Sequence, residues 1–229
     1  MVRIGSFNKG TNMKYFEYFL QRMQTSVRNH LPKLLAVLCA SFVPTAYFSA
    51  QAANCKYKVD PSTAKLTWTG YKFTEKTGVS GTFDSIDVQQ TEASSAEAAI
   101  ESVKFRIDTA SVNSQNPERD KKLALYIFGA LVDPGSISGS VGRVDLNKGT
   151  ASANLTINGT KKSVDFTISN DKANYTFASK IDLDEFKMSK SMEALHTACE
   201  KLHIGRDGKS VTWPEVGIKI VAAVTETCS

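Results

Sequence analysis

The chain is 229 residues long, with 28 Lys and Arg against 23 Asp and Glu and a formal net charge of +5. That length allows one or two domains and supplies a core that needs no disulfide staples. The charge is uneven. Residues 1–52 hold six bases (Arg3, Lys9, Lys14, Arg22, Arg28, Lys33) and one acid (Glu17), which leaves 22 bases and 22 acids beyond them. A neutral remainder carries no electrostatic footprint for nucleic acid, and that partner is excluded.

The leader comes first in chain order. Arg22, Arg28 and Lys33 precede an apolar run over 34–43, and Ala50-Gln51-Ala52 supplies the small–x–small pattern read by a signal peptidase. The pattern predicts a signal peptide over 1–52, cleaved after Ala52, with Met13 or Met23 as alternative starts. One domain is expected over 53–229. A retained membrane anchor fits less well, because the apolar run is short for a span and Pro44 interrupts it. Lipoprotein processing is disfavoured by Leu38 and Asn54, the bulky residues before Cys39 and Cys55. His30 leaves with the leader. The expected location is the periplasm, or secretion beyond it.

An oxidising compartment favours disulfides, and three cysteines remain there: Cys55, Cys199 and Cys228. Cys55 precedes the first predicted strand and Cys228 follows the last. If those strands are antiparallel neighbours their outer ends meet, and a Cys55–Cys228 bridge is expected.

Tyr57 to Val59 reads as a short strand, followed by a turn at Asp60-Pro61-Ser62. A long strand then alternates Leu66, Trp68 and Gly70 against Lys65, Thr67 and Thr69. Residues 81–88 alternate again and carry Phe83. Residues 91–99 are a polar connector rich in Ala, Ser and Glu. Val103, Phe105 and Ile107 alternate with Lys104, Arg106 and Asp108. A polar turn over 111–117 leads to a helix over 118–130, with Leu123, Ile127 and Phe128 on one side; Asp133-Pro134-Gly135 ends it.

Strands follow over 137–144, over Ala151, Ala153, Leu155 and Ile157, and over Val164, Phe166 and Ile168. Asn158-Gly159 marks a hairpin between the last two. Asn170-Asp171 turns the chain into a strand over 175–183 that carries Phe177. Met192, Leu195, Cys199 and Leu202 stand at helical spacing over 191–203, with Ser189 or Ser191 as the cap and Gly205 as the stop. Trp213-Pro214 opens the last strand, where Val216, Ile218, Ile220, Ala222 and Val224 alternate. About eight regularly spaced strands predict an all-β barrel or sandwich with one or two short helices.

Three motifs carry a resemblance. Tyr57-x-Val59-Asp60 is followed by Gly81-Thr82-Phe83. Ile107-Asp108-Thr109-Ala110-Ser111-Val112 is followed by Arg119-Asp120-x-x-Leu123 and Phe128. Residues 153–164 read ANLTINGTKKSV. In this order and spacing, from about Lys56 to Val224, the chain resembles the YceI-like proteins. The resemblance implies an eight-stranded antiparallel lipocalin-like barrel, exported from a bacterium, with a polyisoprenoid or quinone-like lipid inside. Many members carry a His near the end of the long strand; here Tyr71-Lys72-Phe73 stands instead. Leu183-Asp184-Glu185-Phe186-Lys187-Met188 replaces an acidic–basic stretch, and the 191–203 helix and the Trp213-Pro214-Glu215 entry depart from the family pattern too.

The predicted interior set is Leu66, Trp68, Phe83, Val103, Phe105, Ile107, Leu155, Ile157, Phe166, Phe177 and Trp213. Periodicity alone fits a ligand wall and a filled core equally. Gly70, Gly139, Ala151 and Ala153 on the same side leave room. Arg119 and Asp120 are either a polar mouth for a ligand head or a structural pair, with Asp suited to a helix start. His196, Cys199 and His203 are ligand types for zinc or copper and share one helical stripe beside Glu200. The apolar stripe already claims Cys199, and seven helical residues rise about 10 Å, so a metal is not expected.

No nucleophile elbow or phosphate loop is present, so no enzyme is expected. The expected function is an exported carrier of one amphiphilic lipid, with no cofactor beyond it. The membrane enters only during export or lipid exchange, and a homodimer is one option for assembly. The alternatives are a scaffold that binds a partner through its surface, or a metal or redox role through His196, Cys199 and His203.

Overall fold

The computed structural model describes residues 54–229; the leader over 1–52, with His30 and Cys39, lies outside the described residues. The strands in chain order are β1 (Cys55–Lys72), β2 (Thr77–Phe83), β3 (Ile86–Gln89), β4 (Lys104–Asp108), β5 (Val112–Asn113), β6 (Ser136–Asp145), β7 (Thr150–Ile157), β8 (Thr160–Asp171), β9 (Asn174–Asp182) and β10 (Thr212–Cys228). The helices are α1 (Ala96–Glu101), α2 (Pro117–Lys122) and α3 (Ser189–Cys199). The ten strands form one antiparallel, curled sheet in the order β3-β4-β6-β7-β8-β9-β10-β1-β2-β5.

The fold class is the expected one, with ten strands in place of eight. The stretch over 81–88 breaks at Asp84-Ser85 into β2 and β3, and Val112-Asn113, read as turn, adds two rungs to β2. β3 and β5 are the sheet's two edges. They are held near each other at the corners, where Asp84 N donates to Ser111 O (2.9 Å) and Asp108 N to Ser85 O (3.1 Å). Short edges of this kind leave little backbone open to another strand.

Asp60-Pro61-Ser62 does not join two strands. It is a bulge inside β1, where the register against β10 slips between Asp60 and Lys65. Asp60 Oδ1 accepts from Ser62 N (2.9 Å) and Ser62 Oγ (2.7 Å), so the side chain serves a backbone group that has left the ladder. Thr63 Oγ1 accepts from Ala223 N at 2.8 Å and takes over the contact with β10. Pro61 is tolerated because the bulge needs no amide hydrogen there.

β1 and β10 are antiparallel neighbours from Cys55↔Cys228 inward, and those two cysteines form the expected disulfide. Cys199 is free and buried.

The connector over 91–99 contains α1, which sequence reading missed. Ser95 Oγ caps it by accepting from Ala98 N, and Ala99 and Ile100 are its buried side. α2 is capped by Asn116, with Pro117 in the first turn, and Leu123–Phe128 continues it as a π-helical turn. α3 begins at Ser189 without a side-chain cap and ends at Cys199, earlier than Gly205. It packs on the π-helical turn, and together they cover one end of the sheet. Phe186 and Met188, which lead into α3, are 1% and 2% exposed and anchor that cover.

Two cross-strand pairs shape the inner face. Trp68 stands opposite Gly81, and Phe105 opposite Gly139. A Cβ at position 81 would lie 2.3 Å from Trp68 Cζ2, and one at 139 would lie 2.5 Å from Phe105 Cζ. Each ring therefore rests on the backbone of its neighbour. Gly139→Ala is expected to destabilise the protein by roughly 1–3 kcal/mol, because the Cβ meets both Phe105 and the Asn154 carbonyl. Urea unfolding of the variant beside the parent protein measures this; an unchanged midpoint contradicts the packing described.

Candidate ligand-binding cavity

The alternating strands aim one set of side chains at the inside of the curl. Much of this set is only half-buried, including Leu66, Trp68, Phe105, Phe177, Val216 and Ile218. Inward side chains in a filled core would lose nearly all their surface. Here they keep some because they border a cavity of about 550 Å³. That volume is within the range of about 300–1,000 Å³ common to small-molecule sites.

All eleven residues predicted for the interior border this cavity. β1 supplies Leu66 and Trp68, β2 supplies Phe83, and the residues from Val103 into β4 supply Val103, Phe105 and Ile107. β7, β8, β9 and β10 supply Leu155, Ile157, Phe166, Phe177 and Trp213. Trp68 donates its indole N–H to Thr82 O (3.1 Å) and Trp213 donates to Phe73 O (2.7 Å), so both rings present carbon to the interior. Gly70, Ala151 and Ala153 leave the space between them open, and a Cβ on Gly70 would meet nothing within 4 Å. Gly139 is covered by Phe105 instead of opening into the space.

The end beneath α2 and α3 is the polar one. Tyr71, Lys72, Asn116, Arg119, Lys122 and His203 border the cavity there. Arg119 is fixed from below: its Nε donates to Ser114 Oγ (2.7 Å) and its Nη2 to Ser114 O (2.8 Å). Asp120 does not border the cavity. It accepts from Ser114 N (2.9 Å) and from the Ser114 hydroxyl. It is thus neither a mouth residue nor the helix cap, a role Asn116 fills. Glu118 pairs with Lys121 at 3.2 Å, both largely exposed.

His196 and His203 meet at one atom. Their Nδ1 atoms lie 3.1 and 2.6 Å from Thr212 Oγ1. The break after Cys199 into a short 3₁₀ turn over Glu200–Leu202 brings His203 round, so the spacing of a straight helix does not apply. One hydroxyl proton can serve only one ring, and the shorter contact suits O–H donation to His203 with His196 donating in return. Cys199 lies apart, buried on the apolar side and bordering the cavity. Among the described residues the one converging group of metal-ligand types is Cys55, Glu226 and Cys228, and its two sulfurs are joined in the disulfide.

The matches to known proteins fit this geometry. The YceI-like domain model matches residues 57–222. The chain belongs to the YceI-like family. Two solved structures share the fold. A polyisoprenoid-binding domain from Saccharophagus degradans, implicated in plant cell wall breakdown, matches at 16% identity and TM-score 0.53, over 75% of this chain and 98% of its own. BcnA of Burkholderia cenocepacia matches at 20% identity and TM-score 0.51, over 73% and 99%. A search of curated protein sequences finds no match.

Sequence reading missed Lys72, Lys122 and Thr212. The signal for Thr212 was its place just before Trp213, where the last strand enters. Nothing in the sequence marks either lysine, since a lysine at a strand end or on a helix is most often solvated.

His203 is pushed down to about 4 from the ordinary 6.5, chiefly by burial and then by the charges of Lys72, His196 and Lys122. Between about pH 6.5 and pH 4 the unfolded chain takes up a proton that the folded one refuses. This contribution to stability is therefore complete above pH 6.5 and is lost as the pH falls toward 4. Denaturant midpoints at pH 7 and pH 5 should drop less in His203→Gln than in the parent protein. An equal drop in both shows that His203 is not the group responsible.

Proposed function

We propose that this YceI-like protein is an exported carrier that holds one amphiphilic, isoprenoid-type lipid in the cavity. The observation that carries the reading is the lining of the interior: a space of about 550 Å³ bordered mostly by apolar side chains, with Lys72, Arg119, Lys122 and His203 beneath α2 and α3. Burying a hydrocarbon chain there contributes about 0.8 kcal/mol per CH₂. Most of the wall is hydrocarbon, which favours an apolar chain over a wholly polar molecule. The polyisoprenoid-binding domain of Saccharophagus degradans, similar in fold, supports an isoprenoid as the first candidate.

In this proposal the chain lies along Trp68, Phe105 and Phe166, and the head sits at the mouth near Arg119. Export follows from the predicted leader over 1–52 and agrees with the Cys55–Cys228 bridge, since such bridges persist in oxidising compartments. The protein acts by sequestering and releasing its ligand, with no bond made or broken.

Organic extraction of the purified protein, followed by mass spectrometry, tests this. About one equivalent of a long-chain lipid is expected. A lipid-free extract, together with failure to take up an added prenyl lipid, sinks the carrier reading. Gly70→Leu sharpens the test, because its side chain has room to enter the cavity without meeting a wall atom at the Cβ. It should lower lipid content several-fold at nearly unchanged thermal stability. Full lipid content in that variant contradicts the proposed path of the chain.

A further inference from the structure

We propose that the cavity mouth takes an anionic headgroup, a phosphate ester or a carboxylate, held by Lys72, Lys122 and Arg119. This rests on the carrier reading above and adds a charge class to it.

The three cations come from two elements and border one end of one cavity. Lys72 closes β1 and pairs in register with Thr212 of β10, the residue that binds His203. Arg119 and Lys122 are one turn apart on α2. All three side chains are only partly exposed. Both lysines contribute to lowering the pKa of His203 through their charge.

None of the three has a carboxylate partner. Among the described residues the ion pairs are Lys76–Glu215, Lys121–Glu118, Lys148–Asp145 and Lys162–Glu185. The one acid bordering the cavity, Glu118, is the partner of Lys121. Lys72 rests over the Phe73 ring, its ammonium 4.5 Å from the centroid, a contact that leaves its donors free. Arg119 spends Nε and Nη2 on Ser114, which is 7% exposed, and keeps Nη1. A guanidinium held in place by a buried residue is already oriented for an oxyanion.

Like charges gathered beside an apolar wall repel more strongly than they would in bulk water, and a bound anion relieves that repulsion. His203 agrees with this arrangement. A fourth cation-prone group is kept neutral here, and if Thr212 donates to its Nδ1, its Nε2 carries a proton that can be donated. A neutral alcohol or a quinone head would leave Lys72, Lys122 and Arg119 unpaired.

Calorimetric titration of the delipidated full chain tests the proposal with two matched pairs: geranylgeranyl phosphate against geranylgeraniol, and palmitate against hexadecanol. At low salt at least one anion is expected to bind about tenfold more tightly than its alcohol, a gap of about 1.4 kcal/mol. Preference for the phosphate, the carboxylate or both identifies which acidic head is read. The gap should shrink several-fold in K72Q/K122Q, and remain in Lys148→Gln, whose side chain pairs with Asp145 away from the cavity. Equal affinity within both pairs overturns the headgroup assignment and leaves the carrier reading standing. A gap that survives K72Q/K122Q overturns the assignment to these lysines. Failure of all four compounds to bind overturns the carrier reading itself, and this inference with it.

Discussion

Inside the curled sheet, an indole lies on the backbone of Gly81 and a phenyl ring on that of Gly139. A side chain at either glycine would push its ring toward the centre. Trp68 and Phe105 are the bulkiest kind of side chain on the inner face, and pointed inward they would close the space between the strands. Laid flat on glycine they become wall. The same contact covers backbone that glycine would otherwise leave exposed, so one arrangement firms the sheet and keeps it hollow. The open space at Gly70 and the small side chains of Ala151 and Ala153 depend on those rings staying where they are.

The opposite requirement holds at the end of the sheet. Phe186 and Met188 are packed tightly so that α3 is fixed, and α3 in turn sits on the π-helical turn that follows α2. A π-helical turn adds a residue to the helix and shifts the face it presents. Leu123, Ile127 and Phe128 of that turn border the cavity, while Arg119 and Lys122 of the preceding α2 reach the rim. Apolar floor and charged rim are thus made by consecutive residues of one short segment. Thr212 joins this cover to β10 through the two histidines, and burial keeps His203 from adding a further charge to the rim.

Much of the sheet was legible in the sequence because a period of two survives any packing detail. Leu66, Trp68, Phe105 and Phe166 face inward for the reason that their neighbours Thr67, Lys104 and Asp165 cannot. Pattern gave less at places where local hydrogen bonding decides. Asp60-Pro61-Ser62 has turn chemistry, yet β10 continues past it and Thr63 supplies the missing contact, so the strand bulges and goes on. α1 is only six residues long and rich in Ala, Ser and Glu, which reads as a connector until Ser95 is seen as its cap. The position of His203 depended on where α3 stopped, and no Gly or Pro marks the break after Cys199. The roles of Lys72 and Lys122 could not be read from their identity. A lysine at a strand end or in a helix is usually solvated, and only the fold brings these two to one rim.

The pairing of β1 with β10 also governs how this molecule can be made. Val59 finds its ladder partner only at Val224, and the disulfide adds the outermost link between the same two strands. Contacts of such long sequence separation are costly in loop entropy and place a protein among the slower folders. A nascent chain emerging from a ribosome could assemble the hairpins of β6 to β9 early, yet β1 would stay without one neighbour until β10 had been synthesised. Its Leu66 and Trp68 would be exposed through that interval. Aggregation during synthesis, more than loss of the finished sheet, is the hazard to which this topology exposes the chain.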